Sequence, residues 1–366
     1  MNKKLLGALA LVAAMGLPAA ANASLQTLSN LFVFGDSLSD GGNSGIVSRA
    51  ATVALPGGAV TYPPFPYYNG QYSNGPVAVE YLWKSYNPGN SSFKPSLDGG
   101  TNYAIGGATT GLESFNSVSP NTGALAPAYN QKGNNWQLNA FASQGRIFDP
   151  ATSLFVVWLF PNDVFYSATG YTPGTVGCPD NATGPCSGVL LDPDLPPGTQ
   201  LIGNGVRNIL ATVTYLASLG AQHFLVPNMP DLGKTPEFSG TSGEAGLTKL
   251  TVGFNSTLSY YLSLLDTSLT DAEIVQFDTY RFFNDAIANP GKYGFTNTTE
   301  RCVDNLLNGR CNPYDNTWLF WDGSHPTTYA HSLIGAEFRA SVPEPETILL
   351  VAIGLLGIFV TRRRTV

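Results

Sequence analysis

The sequence predicts an α/β protein whose parallel sheet is covered by helices on both faces, and three observations predict it. Short apolar runs alternate with longer helical stretches through the second half of the chain, the pattern of strands buried on both sides. Each apolar run stops abruptly at a turn rich in Gly, Pro, Asn or Asp. The composition agrees: 43% hydrophobic residues are ample for a core, while 12% charged residues with 40 Gly and 26 Pro suit turn-rich connections and not a helical bundle or coiled coil.

In chain order, Asn30 to Phe34 reads as a buried strand that delivers the loop Gly35-Asp36-Ser37. Tyr62 to Asn74 is a Pro, Tyr and Gly loop. Gly75-Pro76 then opens an amphipathic helix through about Trp83, since proline suits a first helical turn. Asn102 to Ile105 is a short strand stopped by Gly106-Gly107, and Leu154 to Phe160 is the clearest buried strand, broken by Pro161-Asn162-Asp163. Tyr166 to Thr199, dense in Gly, Pro and Asp, reads as a surface insertion near the site. A helix from Gly203 to Leu219, a strand at His223 to Val226, a helix from about Ala245 to Leu265 and a strand at Ile274 to Phe277 complete the pattern. In such sheets ligands sit outside the carboxyl ends of the strands.

The ends have a different character. Lys3 and Lys4 precede an apolar stretch, Leu5 to Leu17, and then Ala21-Asn22-Ala23; residues 1–23 thus read as a signal peptide for signal peptidase, with Ser24 first in the mature chain. At the other end, Val342-Pro343-Glu344-Pro345 precedes an unbroken apolar run from Ile348 to Val360, followed by Arg362, Arg363 and Arg364. This run is short for a membrane span, which takes about 20 residues; the arginines would lie on the cytoplasmic side and the large domain outside. Losing both ends removes five basic residues and moves the formal charge from −7 to about −12. A basic groove for nucleic acid is therefore not expected.

The four cysteines form two close pairs, Cys178 with Cys186 and Cys302 with Cys311, in loop-like sequence. In an exported chain these read as two local disulfides. Zinc is the rival, weakened because neither pair is C-x-x-C and no histidine lies at ligand spacing.

Only three histidines can serve as a base. His223 opens an apolar strand and reads as structural, and His331 lies on a helix after Pro326 as a surface or core residue. His325, in Trp321-Asp322-Gly323-Ser324-His325-Pro326, has a carboxylate three residues earlier in the same turn. One short loop can thus supply a base and the group that orients it, although a bare D-x-x-H is common by chance. Ser37, directly after a buried strand and near Gly35, can present its hydroxyl at the sheet's edge beside a free N–H. Ser39 and Asp40 could instead cap a helix. A calcium loop fails because Leu38 fills its third position and Val47 its closing one.

Phe34 to Asn43, with G-D-S-L followed by D-x-G-N, resembles the first block of the GDSL/SGNH esterase and lipase family. Asn102 to Ala108 is similar to its second block, Pro161-Asn162-Asp163 to the third, and Asp322 to His325 to the last. The four lie in the family's order. The resemblance implies a flavodoxin-like SGNH hydrolase fold, a three-layer α/β/α sandwich with a parallel sheet of about five strands, over residues 24–341. It implies Ser37 as nucleophile, His325 as base and Asp322 as its partner. The oxyanion donors would be the N–H groups of Ser37 and Gly107 and the side chain of Asn162, with no metal or organic cofactor. One departure stands out: the third block should open with glycine, and Phe160 holds that place. This questions the strand-to-loop geometry and the room beside the acyl group.

The C-terminal end, residues 342–366, resembles the PEP-CTERM sorting signal of bacterial surface proteins, which implies processing by an exosortase and membrane contact through the apolar segment beforehand; a plain tail anchor is the alternative. The expectation is an exported serine hydrolase of the bacterial surface, envelope or matrix that cleaves carboxylic esters, lipids included. A carbohydrate O-acetyl esterase acting on exopolysaccharide, and a binding protein that has lost catalysis, are the rivals.

Overall fold

A computed structural model of the chain describes residues 25, 27–169, 197–314 and 316–342. The leader, most of the insertion with Cys178 and Cys186, and the C-terminal apolar run lie outside the described residues. Residues 27–342 form one compact unit.

Its centre is a parallel sheet of four strands in simple order, β1 (Asn30–Gly35), β2 (Ser153–Trp158), β3 (His223–Pro227) and β4 (Glu273–Phe277). Asn30 pairs with Ser153, Leu154 with His223, and His223 with Glu273, so the strands end together at one edge. The expected strand at Asn102 is present as an extended segment along the free side of β1. Tyr103 N–H donates to Val33 O at 2.8 Å and Ile105 N–H to Gly35 O at 3.2 Å. It makes only an isolated bridge to β1, because Asn102 N–H turns away to Lys94 O. The sheet thus has four strands where about five were expected, with this segment alongside it.

Alternation along the strands sends successive side chains to opposite faces. On one face Phe32, Phe34, Phe155, Val157, Phe224 and Val226 meet Leu138 and Phe141 of α3 (Asn134–Gln144), Val213 and Leu216 of α5 (Pro197–Ser218), and Phe254 and Leu258 of α6 (Glu244–Ser268). On the other face Trp158 and Phe277 pack edge-on against Phe338 of α8 (Thr328–Ser341). Beside α8 lies α2 (Ala78–Tyr86), joined to it by the Tyr81 and Thr328 hydroxyls at 2.8 Å. Three layers result, helices on both sides of one sheet.

Helix α2 starts three residues after the expected Gly75. Val77 occupies the N-cap position, where its N–H donates to Glu80 Oε2 at 2.8 Å, so Pro76 belongs to the extended lead-in. The remaining helices, α1 (Asn43–Thr52), α4 (Pro161–Ser167) and α7 (Thr279–Ala288), each follow the loop or turn that leaves a strand.

Candidate active site

Strand β1 ends at Gly35, and the chain turns so that Ser39 N–H donates to Asp36 O at 3.1 Å. Gln137 of α3 clamps both sides of that strand end: its Oε1 accepts from Gly35 N–H at 2.9 Å, and its amide donates to Gly35 O at 2.7 Å. Ser37 is thereby held at the sheet's carboxyl edge, with 8% of its surface exposed. Asp40 then joins this turn to the next block. Its Oδ1 accepts from Gly42 and Asn43 N–H at the start of α1, and its Oδ2 accepts from Gly106 N–H at 2.9 Å. Asn43 reinforces the link by donating to Asn102 O and Ala104 O. Asp40 and Asn43, the outer residues of D-x-G-N, thus bind the loops of Ser37 and Gly107 together.

Gly107 must be glycine. Its φ is +84°, and a β-carbon there would stand 2.6 Å from Asn116 Cγ. Its carbonyl accepts from Phe115 N–H, whereas among the described residues neither its own N–H nor that of Ser37 has an acceptor. Asn162 stands in the first turn of α4, 5% exposed. The following residue, Asp163, anchors that turn by accepting from Thr110 N–H at 2.8 Å and Thr110 Oγ1 at 2.6 Å.

Phe160, the departure from the family pattern, keeps the backbone of a glycine: its φ is +123°. A bulky residue there is strained. Its ring turns into the core and stacks on Phe254 at 3.7 Å, where Gly205 leaves the space, since a β-carbon on Gly205 would lie 2.2 Å from the ring. The loop keeps its path, and Phe160 is not among the residues lining the cleft.

The last block closes the site. Asp322 Oδ1 accepts from Ser324 N–H at 2.9 Å and His325 N–H at 2.8 Å, folding the turn over its own carboxylate. His325 Nδ1 lies 2.9 Å from Oδ1 and 2.8 Å from Oδ2, while its Nε2 lies 2.8 Å from Ser37 Oγ. Nearby, Trp321 N–H donates to His325 O, and the Tyr72 ring packs 5.0 Å from the imidazole. Burial alone would lower the His325 pKa, but the Asp322 carboxylate outweighs it and the net shift is upward. Burial would likewise raise Asp322, yet the imidazolium and the turn's N–H groups leave it below its ordinary value. Such a chain can accept a proton from the hydroxyl and hold the resulting imidazolium.

Ser37, Gly107, Asn162, Asp322 and His325 all line one cleft of about 530 Å³, walled by Tyr62, Phe115, Phe165 and Phe238. Asp36 lies in its floor. Burial pushes its carboxyl up to about 7, against the pull of the Leu38 N–H, the His325 charge and the Asn162 side chain. His331 is fully buried in α8 and accepts from Ala78 N–H at 3.2 Å; burial, with the His325 charge, lowers it to about 3. Cys302 and Cys311 are bonded to each other. Among the described residues no group of three or more His, Cys, Asp or Glu side chains could hold a metal ion.

Three contributors were not singled out in the sequence. Gln137 sits on a helix unassigned there, and Tyr67 and Tyr72 belong to a segment read as a loop, with no role given to either side chain. Tyr67 OH donates to Asp322 Oδ2 at 2.8 Å, and Asn116 donates to Tyr72 OH at 2.7 Å. The local signal was the density of tyrosine in that loop.

The four blocks meet at one edge of a parallel three-layer α/β architecture, and comparison gives its family. The model of the GDSL-like lipase/acylhydrolase family matches residues 31–338, and the chain belongs to that family. A second model, for the PEP-CTERM protein-sorting motif, matches residues 341–364, and that motif indicates export and surface sorting in bacteria. Among similar proteins is an uncharacterised one from the trpE-trpG intergenic region of Pseudomonas putida, 27% identical across 86% of this chain and 48% of the relative. The chain thus spans about half the length of that relative. Two GDSL esterase/lipases of Arabidopsis thaliana are 28% and 24% identical; the first alignment covers 85% of both chains, the second 84% of this chain and 86% of the relative.

Proposed function

We propose that this protein is a carboxylic ester hydrolase that works through an acyl-enzyme on Ser37. The observation that carries the reading is the unbroken chain from Ser37 Oγ to His325 Nε2 at 2.8 Å and from Nδ1 to the Asp322 carboxylate. In this reading His325 takes the Ser37 proton as Oγ attacks the ester carbonyl. The oxyanion is received by the N–H groups of Ser37 and Gly107 and by the Asn162 amide. His325 then returns the proton to the leaving alcohol, and water, deprotonated by the same imidazole, releases the acid. Family membership and the names of the Arabidopsis relatives support ester hydrolysis. The aromatic walls of the cleft favour an apolar acyl group longer than acetyl, and so the lipase reading over the O-acetyl esterase.

The test is turnover of p-nitrophenyl esters of increasing acyl length. Ser37→Ala and His325→Ala should each remove nearly all turnover without unfolding, because members of such a unit act together. Asn162→Ala should lower kcat by on the order of 10² to 10³ with little change in KM, since its contact strengthens only in the transition state. Full activity of the Ser37 variant, free of host esterases, would overturn the reading.

A further inference from the structure

Resting on that reading, we infer that Tyr67 is a positioning residue of the site, its phenol fixing the Asp322 carboxylate toward His325. The two carboxylate oxygens are held from different parts of the chain. Oδ1 is held within its own turn by the N–H groups of Ser324 and His325. Apart from the imidazole, Oδ2 accepts among the described residues from a single donor, the Tyr67 hydroxyl at 2.8 Å, 255 residues away in sequence. Without it Oδ2 has, among the described residues, only the imidazole, and the carboxylate is held from its own turn alone.

Tyr67 is built to hold that place. Its ring meets Trp321 edge-on, with centroids 5.9 Å apart and planes at 90°. It also packs against the cluster formed by Cys302, Cys311, Trp318 and Trp321. Burial and the Asp322 charge push its ionisation well above the ordinary phenol range, so it stays a donor wherever an esterase works. A hydrogen bond to a carboxylate also draws charge away from the imidazole, so Tyr67 restrains the basicity of His325 while it orients Asp322.

Several other groups face this pair. Asp36 and His331 interact with the imidazole, the Tyr72 ring packs on it, and Tyr62 feels the Asp322 charge. Asp304 interacts with Tyr67, and Glu237 and Arg301 flank Gly323. All of them persist when only the Tyr67 hydroxyl is removed, so a change in titration then reports that hydroxyl.

The experiment compares the full chain with its Tyr67→Phe variant, which keeps the ring on Trp321. Plateau kcat on a p-nitrophenyl ester should fall roughly 3- to 10-fold, the scale of one hydrogen bond, with KM within about twofold. The acid limb of the kcat/KM profile should move to higher pH, because the undivided carboxylate charge makes His325 more basic. The Nδ1–H proton resonance of His325 should shift with it. Replacing Tyr67 by 2,3,5-trifluorotyrosine, a stronger donor that keeps every packing contact, should move the acid limb the opposite way; this arm decides the matter if Tyr67→Phe does not fold. Superimposable profiles and an unmoved proton resonance would overturn the inference. Ser37→Ala run beside it separates the two ideas, since loss there with no change at Tyr67 removes the positioning role alone, and activity there removes both.

Discussion

At the scale of single residues, Asp36 is the least comfortable group in the site. An unfolded aspartate ionises near 3.9, whereas burial holds this one to about 7. Between those values the folded chain keeps a proton that the unfolded chain has released, so stability falls as pH rises across that window. Asp163 is raised to about 7 by burial in the same sense, and Asp322, held low by His325, acts in the opposite one. Asp36→Asn removes one such proton. The variant should gain on the order of 2 kcal/mol over the parent at pH 8 relative to pH 5, measured by urea unfolding; equal pH dependence in both chains would contradict the assignment. Activity should follow His325 instead. Its pKa is raised, so kcat/KM should fall as pH drops through a value above the ordinary 6.5 of histidine.

At the scale of elements, the junction of β2 and α4 trades backbone strain for burial. A positive φ at Phe160 costs about 1 to 3 kcal/mol, while removing a buried phenylalanine costs about 3 to 5. Phe160→Gly should therefore still destabilise, by roughly 1 to 3 kcal/mol net, and calorimetry would measure it. The loop of Asn162 should keep its shape, so turnover per folded molecule should hold. The disulfide makes a second case. Its loop is paired to the strand-like run before Asp322, with Cys302 N–H on Phe320 O and Val303 N–H on Trp321 O. Opening the bond should cost roughly 2 to 3 kcal/mol by chain entropy. Activity should fall at a lower reductant concentration than the sheet melts, as read by esterase assay beside circular dichroism.

Strands buried on both faces declare themselves as apolar runs, and β1 to β4 were found within one or two residues at each end. Ser37, Asp322 and His325 were readable because each sits in a short turn whose chemistry is local. Helix α3 was missed for a physical reason: Asn134, Asn135 and Gln137 are buried polar residues, and such a stretch reads as loop. Their partners, such as Thr212 for Asn134, come from remote sequence. Tyr67 escaped on the same ground, since nothing near it in sequence points to Asp322.

For the whole molecule, the C-terminal motif bears on where the protein is sent. The PEP-CTERM motif at residues 341–364 begins where α8 ends, so the sorting motif and the candidate active site occupy separate stretches of chain. Among the described residues no helix is long and apolar enough to cross a membrane, and the run from Ile348 to Val360 lies outside them. Mass spectrometry of the surface-exposed protein should find Ser24 at the N-terminus and the Arg362 to Val366 end missing. Retention of that end on most molecules would rule out processing and leave the esterase reading intact.

The hydroxyl of Ser37 and the imidazole of His325 meet across 288 residues of sequence. A ribosome makes Ser37 long before His325, and α8, which follows His325, docks on the much earlier α2. No nascent or prematurely terminated product that stops short of residue 325 can hold this hydrogen-bonded pair. Order of synthesis thereby acts as a safety catch, keeping the proposed site unassembled until the segment that carries His325 has been made.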